Sequence, residues 1–445
     1  MNVLVEDGAL KGIAESIRDK TGSDQMYKPG EMPEAIQQIP SGSSGADPDL
    51  PVRFYDYDGT LLYSYTIEQI QNLEVLPALP EHEGLIGEGW NWSLENLKSE
   101  NGPMTVGAHY ITDDGVTRIY IYLDTHIHSL TVKFGQSKAD GVKIDWGDES
   151  PLETSEVVLK NDYTYVEAAH EYENPGMYMI SLLPDEDAIL TIQGSTFYGA
   201  YLVTGKEMSL DQNRLYFSFV KEIEIGRNVV VGTAAFYMMN SLEKISIPMN
   251  LSISGQYVFA HCSSMRFVTL PQETCMDDYM LDYCASLYAV AIPNTVETIG
   301  YYGLGSCGSL IEVNLPRNVK ALGSSCFSSC ASLERITSMG KVDSIGSSCF
   351  YYATNMKEAD ILGDGLTKIE NSAFNNCPSL HKIDIPAGVK EIGPSAFYIT
   401  YCLTDMYLYC DTPPSIQSYS INMTAKDFII HITAKTELLC CISLK

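Results

Sequence analysis

The chain has 445 residues, 45% of them apolar and 19% charged, which is enough for two or more folded cores and too apolar for a disordered chain. Its formal net charge is -29, concentrated in front: residues from 234 on hold 13 Lys and Arg against 19 Asp and Glu, leaving 15 against 38 before them. So acidic a front speaks against nucleic acid or an anionic membrane surface as partner, because both would be repelled.

Residues 8–20 place Leu10, Ile13, Ala14 and Ile17 on one helical face, and Thr21-Gly22 ends that helix. A second short helix carries Met32, Ala35 and Ile36. Two short helices bury little alone, so residues 1–40 are expected to be a helical anchor that docks on a partner or in a homo-oligomer such as a trimer, through Leu10, Ile13, Ile17, Met32 and Ile36. The run Leu10–Gly22 with Pro29–Ile36 resembles an N-terminal segment recurring in tail and other structural proteins of phages of Gram-positive bacteria. That resemblance implies other virion proteins as partners. Residues 41–50, opening Ser41-Gly-Ser-Ser-Gly, read as a flexible linker. Residue 1 onward lacks a basic segment followed by an apolar run, and no stretch approaches the ~18 apolar residues of a membrane span, so neither a secretory signal nor membrane insertion is expected. The end, Leu438–Lys445, does not read as a cell-wall sorting signal.

Residues 51–103 form a β-rich module. They open with Val52–Leu61, in which Asp56-Tyr-Asp58-Gly59-Thr60-Leu61 resembles the nucleophile motif of haloacid-dehalogenase-type phosphatases. Such an enzyme would use Asp56 as nucleophile and Asp58 as acid/base with Mg²⁺, on a series of parallel strands and helices. The alternation that follows, as in Thr117–Leu123, is antiparallel in type, so Asp58-Gly59 is expected to be a hairpin turn between Phe54 and Leu62. Gly89-Trp-Asn-Trp-Ser93 and Tyr110–Gly115 look like modules of phage structural proteins. Residues 104–184 alternate like an antiparallel sandwich. There, Trp146-Gly-Asp148, His170-Glu-Tyr172 and Gly176-Met-Tyr178 resemble the polycystic-kidney-disease (PKD) type of immunoglobulin-like domain, with Trp146 and Tyr172 in the core and Asp148 holding a turn. Glu149 departs from the Gly of that motif.

Residues 185–213 read as a transition or cap. Beyond them apolar landmarks recur at Val220, Leu242, Met265, Leu287, Leu310, Leu333, Met356, Leu380 and Leu403, in steps of 22 to 24. A second row, Phe236, Phe259, Leu281, Leu304, Phe327, Phe350, Phe374 and Phe397, keeps phase with it. Such a period marks stacked coils. In Val290-x-Ile292 two residues face inward while Ala291 points out, and Pro293 stops the strand. Cysteines fill one register as small hydrophobes, at Cys262, Cys284, Cys307, Cys330 and Cys377, while Cys326 and Cys349 replace a neighbouring Ala. No zinc-type Cys pair is present. The best copies, Ala373-Phe374-x-x-Cys377-x-Ser379-Leu380-x-x-Ile383-x-Ile385-Pro386 and Val389-x-x-Ile392-Gly393, resemble the BspA-type leucine-rich repeat. The resemblance covers residues 214–410 and implies a solenoid whose exposed sheet binds or adheres, without catalytic residues. Copies around Cys275 and Ser338–Gly340 lose the pattern and are expected to be irregular, and residues 411–445 are expected to cap the stack, closing with the strand in Phe428–Ala434.

The fold expected is therefore mainly β: short N-terminal helices, β-rich and Ig-like sandwich domains, then a leucine-rich-repeat solenoid. Ligand contact is expected from Tyr237, His261, Tyr283, Tyr351, Tyr352 and Tyr398, which lie between the Phe and Cys rows, and from Tyr288 and Phe267, which point out between inward strand residues. The functional expectation is a non-enzymatic phage virion protein, tail- or fibre-associated and made in the bacterial host cytoplasm. It would bind a host cell-surface protein or glycan without cofactor. The rivals are a bacterial surface adhesin of the BspA type and a phosphatase using Asp56.

Overall fold

The computed structural model describes residues 46–432, apart from 101, 125–128, 139, 155–156, 161–162, 196–198, 201, 205–218, 410–411 and 422–423. The expected anchor, with Leu10, Ile13, Ile17, Met32 and Ile36, lies outside the described residues, as does the closing segment beyond residue 432. The fold is mainly β and ends in a solenoid of about nine turns.

In the front module Val52–Tyr55 and Leu61–Tyr65 form an antiparallel hairpin. Its turn is the one expected at Asp58-Gly59: the Gly59 N–H donates to the Asp56 carbonyl at 3.0 Å, and the Asp58 carboxylate accepts from the Thr60 N–H at 2.8 Å. Val52–Tyr55 also pairs in parallel with Met104–Thr112, which pairs antiparallel with Leu85–Trp90. Met104–Thr112 is therefore a central strand of this module, which extends beyond the boundary read at residue 103. Two short helices, Ile67–Asn72 and Leu94–Glu100, complete it, the first opened by a reciprocal capping box between Thr66 and Gln69. Phe54, Trp90, Leu97, Val106 and Tyr110 make its core.

The next unit is a sandwich of two six-stranded sheets, one built on Ser129–Gln136 and Tyr163–Glu171, the other on Thr117–Leu123, Gly176–Pro184 and Val142–Asp145. Trp146 and Tyr172 are buried in it, and the Tyr172 hydroxyl donates to the Trp146 carbonyl at 3.0 Å. Gly147 has φ +75°, and a Cβ there would stand 2.5 Å from the Met179 carbonyl oxygen, so the turn after Trp146 demands glycine. Asp148 holds that turn through the Ser150 N–H at 3.2 Å.

Neither sheet ends with the sandwich. Leu190–Ile192, inside the segment read as a transition, pairs in parallel with Val229–Val231, and Thr117–Leu123 pairs with Val220–Glu224, which pairs in parallel with Lys244–Ser246. The sandwich is itself the cap of the first coils, and one hydrophobic core runs from Ile119 to Leu408. At the far end Ile429–Ile432 pairs in parallel with Asp405–Leu408.

Within a coil the short strands alternate as expected. Val313 and Leu315 are buried between less buried neighbours, and Ile383 and Ile385 likewise. The Phe row stacks face to face, with ring centroids 5.5 Å apart for Phe327 and Phe350 and 5.3 Å for Phe374 and Phe397. On either side of each Phe, two residues away, the backbone turns left-handed: Ser325 at φ +56° and Ser329 at +60°, Ser372 at +55° and Asn376 at +61°. Each such non-glycine residue costs about 1 kcal/mol. What offsets it is a ladder between coils, such as Phe327 N–H to the Cys349 carbonyl and Phe374 N–H to the Ala396 carbonyl, both 2.8 Å. The cysteine row has a polar reason as well: the Sγ of Cys284, Cys307 and Cys330 donates to the carbonyl of the Phe-row residue one coil back at 3.1–3.2 Å. An Ala would pack there but leave those carbonyls without this donor. The expected irregularity at Ser338–Gly340 is a register shift between Arg335–Val342 and Glu358–Leu362.

Candidate functional site

The outward face of the first strands is not free. Met104–Thr112 of the front module lies across Lys244–Ser246, Phe267–Thr269, Ala289–Ala291 and Glu312–Leu315. The approach is close enough that a Cβ on Gly107 would collide with the Thr269 side chain. The Ser246 hydroxyl donates to the Tyr110 carbonyl at 3.0 Å, His109 Nδ1 hydrogen-bonds the Ile247 carbonyl at 2.9 Å, and Trp92 Nε1–H donates to the Ile292 carbonyl at 3.2 Å. Ion pairs close the far side, Arg53 to Glu312 at 3.1 Å and Arg317 to Glu100 at 3.8 Å. This corrects two of the expected ligand contacts. Phe267 does leave the coil's core on the outward side, yet it is 1% exposed, with its ring 5.0 Å from that of Tyr55. Tyr288 donates its hydroxyl to the Gly59 carbonyl of the hairpin. Ala291, outward as expected, is fully buried in the same contact. Alternation tells which side a residue takes, and here a second domain covers that side.

The other expected aromatics assemble differently. His261 and Tyr283 stack with ring centroids 4.6 Å apart, and Tyr237 meets His261 edge-on at 5.6 Å. A parallel row, unforeseen from the sequence, runs beside them: Tyr257 stacks on Tyr279 at 4.4 Å, Tyr279 on Tyr302 at 5.5 Å, and Tyr301 meets both Tyr279 and Tyr302 edge-on. Tyr237 joins the two rows through Tyr257 at 5.4 Å. The signal was there to be read, because Tyr257, Tyr279 and Tyr302 stand two residues before the Phe row at its own period. Seven aromatic rings thus share one surface across four coils. Asp282 lies among them at 6% exposure, one carboxylate oxygen without a hydrogen-bond partner, and burial pushes its carboxyl up to about 7. Tyr351 and Tyr352 form a separate exposed pair, 4.8 Å apart. Tyr398, partly exposed, has no ring partner among the described residues.

Among the described residues of the front half, Asp56 is not set in the surroundings that phosphatase chemistry needs. Asp56 is 4% exposed, its carboxylate held by His82 Nε2 at 2.8 Å and by the Tyr57 N–H at 2.9 Å. The strand before it pairs with its own hairpin partner, and the sheet is not the parallel α/β sheet that the motif requires. Burial raises the Asp56 carboxyl, and His82 opposes the rise. A second dyad, His170 Nε2 to Asp148 at 2.7 Å, lies under the stacked Trp146 ring and orders the sandwich turn. Among the described residues no group of three His, Cys, Asp or Glu is placed to hold a metal, and no helix is long and apolar enough to cross a membrane.

A comparison with curated proteins returns no match. Among solved structures, the chain resembles a leucine-rich repeat protein from Bacteroides ovatus at 22% identity, covering 54% of this chain and 75% of that one with a TM-score of 0.39. It also resembles a leucine rich cell surface protein from Faecalibacterium prausnitzii at 17% identity, covering 62% and 86% with a TM-score of 0.28. A third is the pneumococcal vaccine antigen PcpA at 19% identity, covering 49% and 57% with a TM-score of 0.33. The family model for the BspA type leucine rich repeat region matches six copies, over residues 191–302 and 274–404. The parallel coils and the Phe and Cys rows agree with this match, so residues 191–404 are a run of repeats similar to the BspA-type leucine-rich repeat.

Proposed function

We propose that this chain is a non-enzymatic recognition protein of the adhesin type, which holds a protein or glycan of a cell surface against the aromatic rows of its solenoid. The observation that carries the reading is the assembly of Tyr237, Tyr257, His261, Tyr279, Tyr283, Tyr301 and Tyr302 on one face. Stacked rings offer large contact area at small entropic cost, because their neighbours already hold them in place. The repeat family, with the adhesive role it implies, supports this over the virion reading. That reading rests on resemblances in residues 1–40, outside the described residues, and in the module. We read the sandwich as PKD-like on Trp146, Asp148 and Tyr172, a spacer that carries the solenoid. Each copy binds weakly, and several copies displayed together give avidity.

The test is retention of the purified chain on arrays of animal-cell glycans and extracellular-matrix proteins. Tyr257→Ser, Tyr279→Ser and Tyr283→Ser together are expected to weaken retention at least about ten-fold, since aromatic anchors dominate such surfaces. Equal retention of both proteins overturns the assignment. Were residues 1–40 a virion anchor, their deletion would abolish incorporation into particles without altering array binding.

A further inference from the structure

The outward sheet of the solenoid is interrupted three times: between Lys244–Ser246 and Phe267–Thr269, between Ala289–Ala291 and Glu312–Leu315, and between Glu358–Leu362 and Lys382–Ile385. The front module seals the first two. His109 reaches the Ile247 carbonyl at the first, and Trp92 reaches the Ile292 carbonyl at the second, where Asn314 also donates to Thr105 at 3.4 Å. The module's hydrogen bonds and ion pairs reach the coil of Glu312 and Arg317, three coils before that of Lys382. The third interruption is an open cleft of about 560 Å³ lined by Lys357, Glu358, Asp360, His381, Lys382 and Asp384.

The sequence explains why it opens there. The step from Met356 to Leu380 is 24 residues, and Leu362-Gly-Asp-Gly365 stands where its neighbour Leu380–Leu403 turns with Pro386-Ala-Gly388. Ala359 occupies the inward strand position held elsewhere by Val313, Ile336 and Ile383, so less side chain fills the coil behind the gap. On the outward side the two coils share one long bond, His381 N–H to the Lys357 carbonyl at 3.4 Å, while behind it the ladder resumes, as in Lys390 N–H to the Thr367 carbonyl at 2.9 Å.

We infer that this cleft is a binding site for a neutral oligosaccharide. Its lining alternates in sign: Lys382 pairs with Asp384 at 2.9 Å, and Lys357 pairs with Glu334 at 2.6 Å. Neither an anion nor a cation meets a field of one sign there. Sugar hydroxyls, which both donate and accept, match carboxylates beside ammonium groups. Tyr409, 47% exposed on the next coil, donates its hydroxyl to the lining carboxylate of Asp384 at 3.2 Å, so an exposed aromatic ring stands one coil from the cleft, where a longer sugar chain could stack. The volume suits a ligand of two or three rings. The site is separate from the aromatic rows, so neither assignment depends on the other.

The experiment is calorimetric titration of the full chain with maltotriose, mannotriose, galactotriose and chitotriose, with dextran sulfate and polylysine as charged probes. At least one neutral trisaccharide is expected to bind, with Kd raised at least ten-fold by Asp384→Asn and by Lys382→Met, and unchanged by Lys138→Met on the sandwich, outside both sites. All three side chains lie at the surface, and equal melting temperatures verify that the variants fold. Binding of a charged polymer alone, trisaccharide binding indifferent to Asp384→Asn and Lys382→Met, or no binding by any neutral probe overturns the inference.

Discussion

Two buried titratable groups set opposite limits on pH. Asp282 has its carboxyl raised by burial from 3.8 to about 7, so the fold favours its neutral form. Its contribution is complete below the unfolded value and fades as pH rises through 4 to 7. Asp282→Asn keeps the shape and removes the charge. Its melting temperature is expected to match the parent near pH 4 and to exceed it at pH 8 by roughly 4–8 °C, taking about 2 kcal/mol for relief of a buried carboxylate. A flat difference across that range, measured by thermal denaturation, would refute the burial argument. His109 works the other way. Burial against the solenoid lowers it from 6.5 to about 4, so it stays neutral in the fold and stability is lost as pH falls from 6.5 towards 4, by up to about 3 kcal/mol. Since its ring contacts the Ile247 carbonyl, acid should loosen the front module first, detectable as faster hydrogen exchange in Met104–Thr112. The cysteines give a third expectation at this scale. Cys262, Cys284, Cys307, Cys330 and Cys377 are buried with thiols raised by that burial, whereas Cys275 and Cys402 are exposed. A maleimide on the native chain should therefore label Cys275 and Cys402 within minutes and the buried row only after unfolding, as read by peptide mass mapping.

Among elements, the contact between Met104–Thr112 and the solenoid strands carries the most exacting fit. Gly107→Ala puts a methyl into the Thr269 side chain, and a cost of about 1–3 kcal/mol is expected. Phe267→Ala empties the space under Tyr55 and should cost about 3–5 kcal/mol. If urea unfolding shows either change to be neutral, the module is not docked as described. This element also shows how far the sequence could be read. The coils were legible because every inward position repeats at a fixed step, and the hairpin at Asp58-Gly59 because a local pattern determines a local turn. The docking was not, since Trp92 meets Ile292 across 200 residues and no period joins them. The left-handed residues beside each Phe were hidden for another reason: Ser325, Ser329 and Ser372 are not residues that announce positive φ, and the ladder that compensates them exists only between coils. The second aromatic row was visible in principle, and the interruption of the sheet at Ala359 could be read as a 24-residue step, but not as a cleft.

At the scale of the whole molecule, the sandwich and the coils share sheets and a single core from Ile119 to Leu408. Domains joined by a linker would melt separately. Here, sandwich and first coils should unfold in one transition, which calorimetry can check by comparing calorimetric and van't Hoff enthalpies. The continuous sheets also govern how a tug on the far end would travel. A parallel pair such as Leu190–Ile192 with Val229–Val231 offers several hydrogen bonds side by side, so a pull along the strands must shear them together instead of unzipping them one by one. A tether clamped in this way passes drag on its bound target straight to whatever holds its front, with little give at the joint.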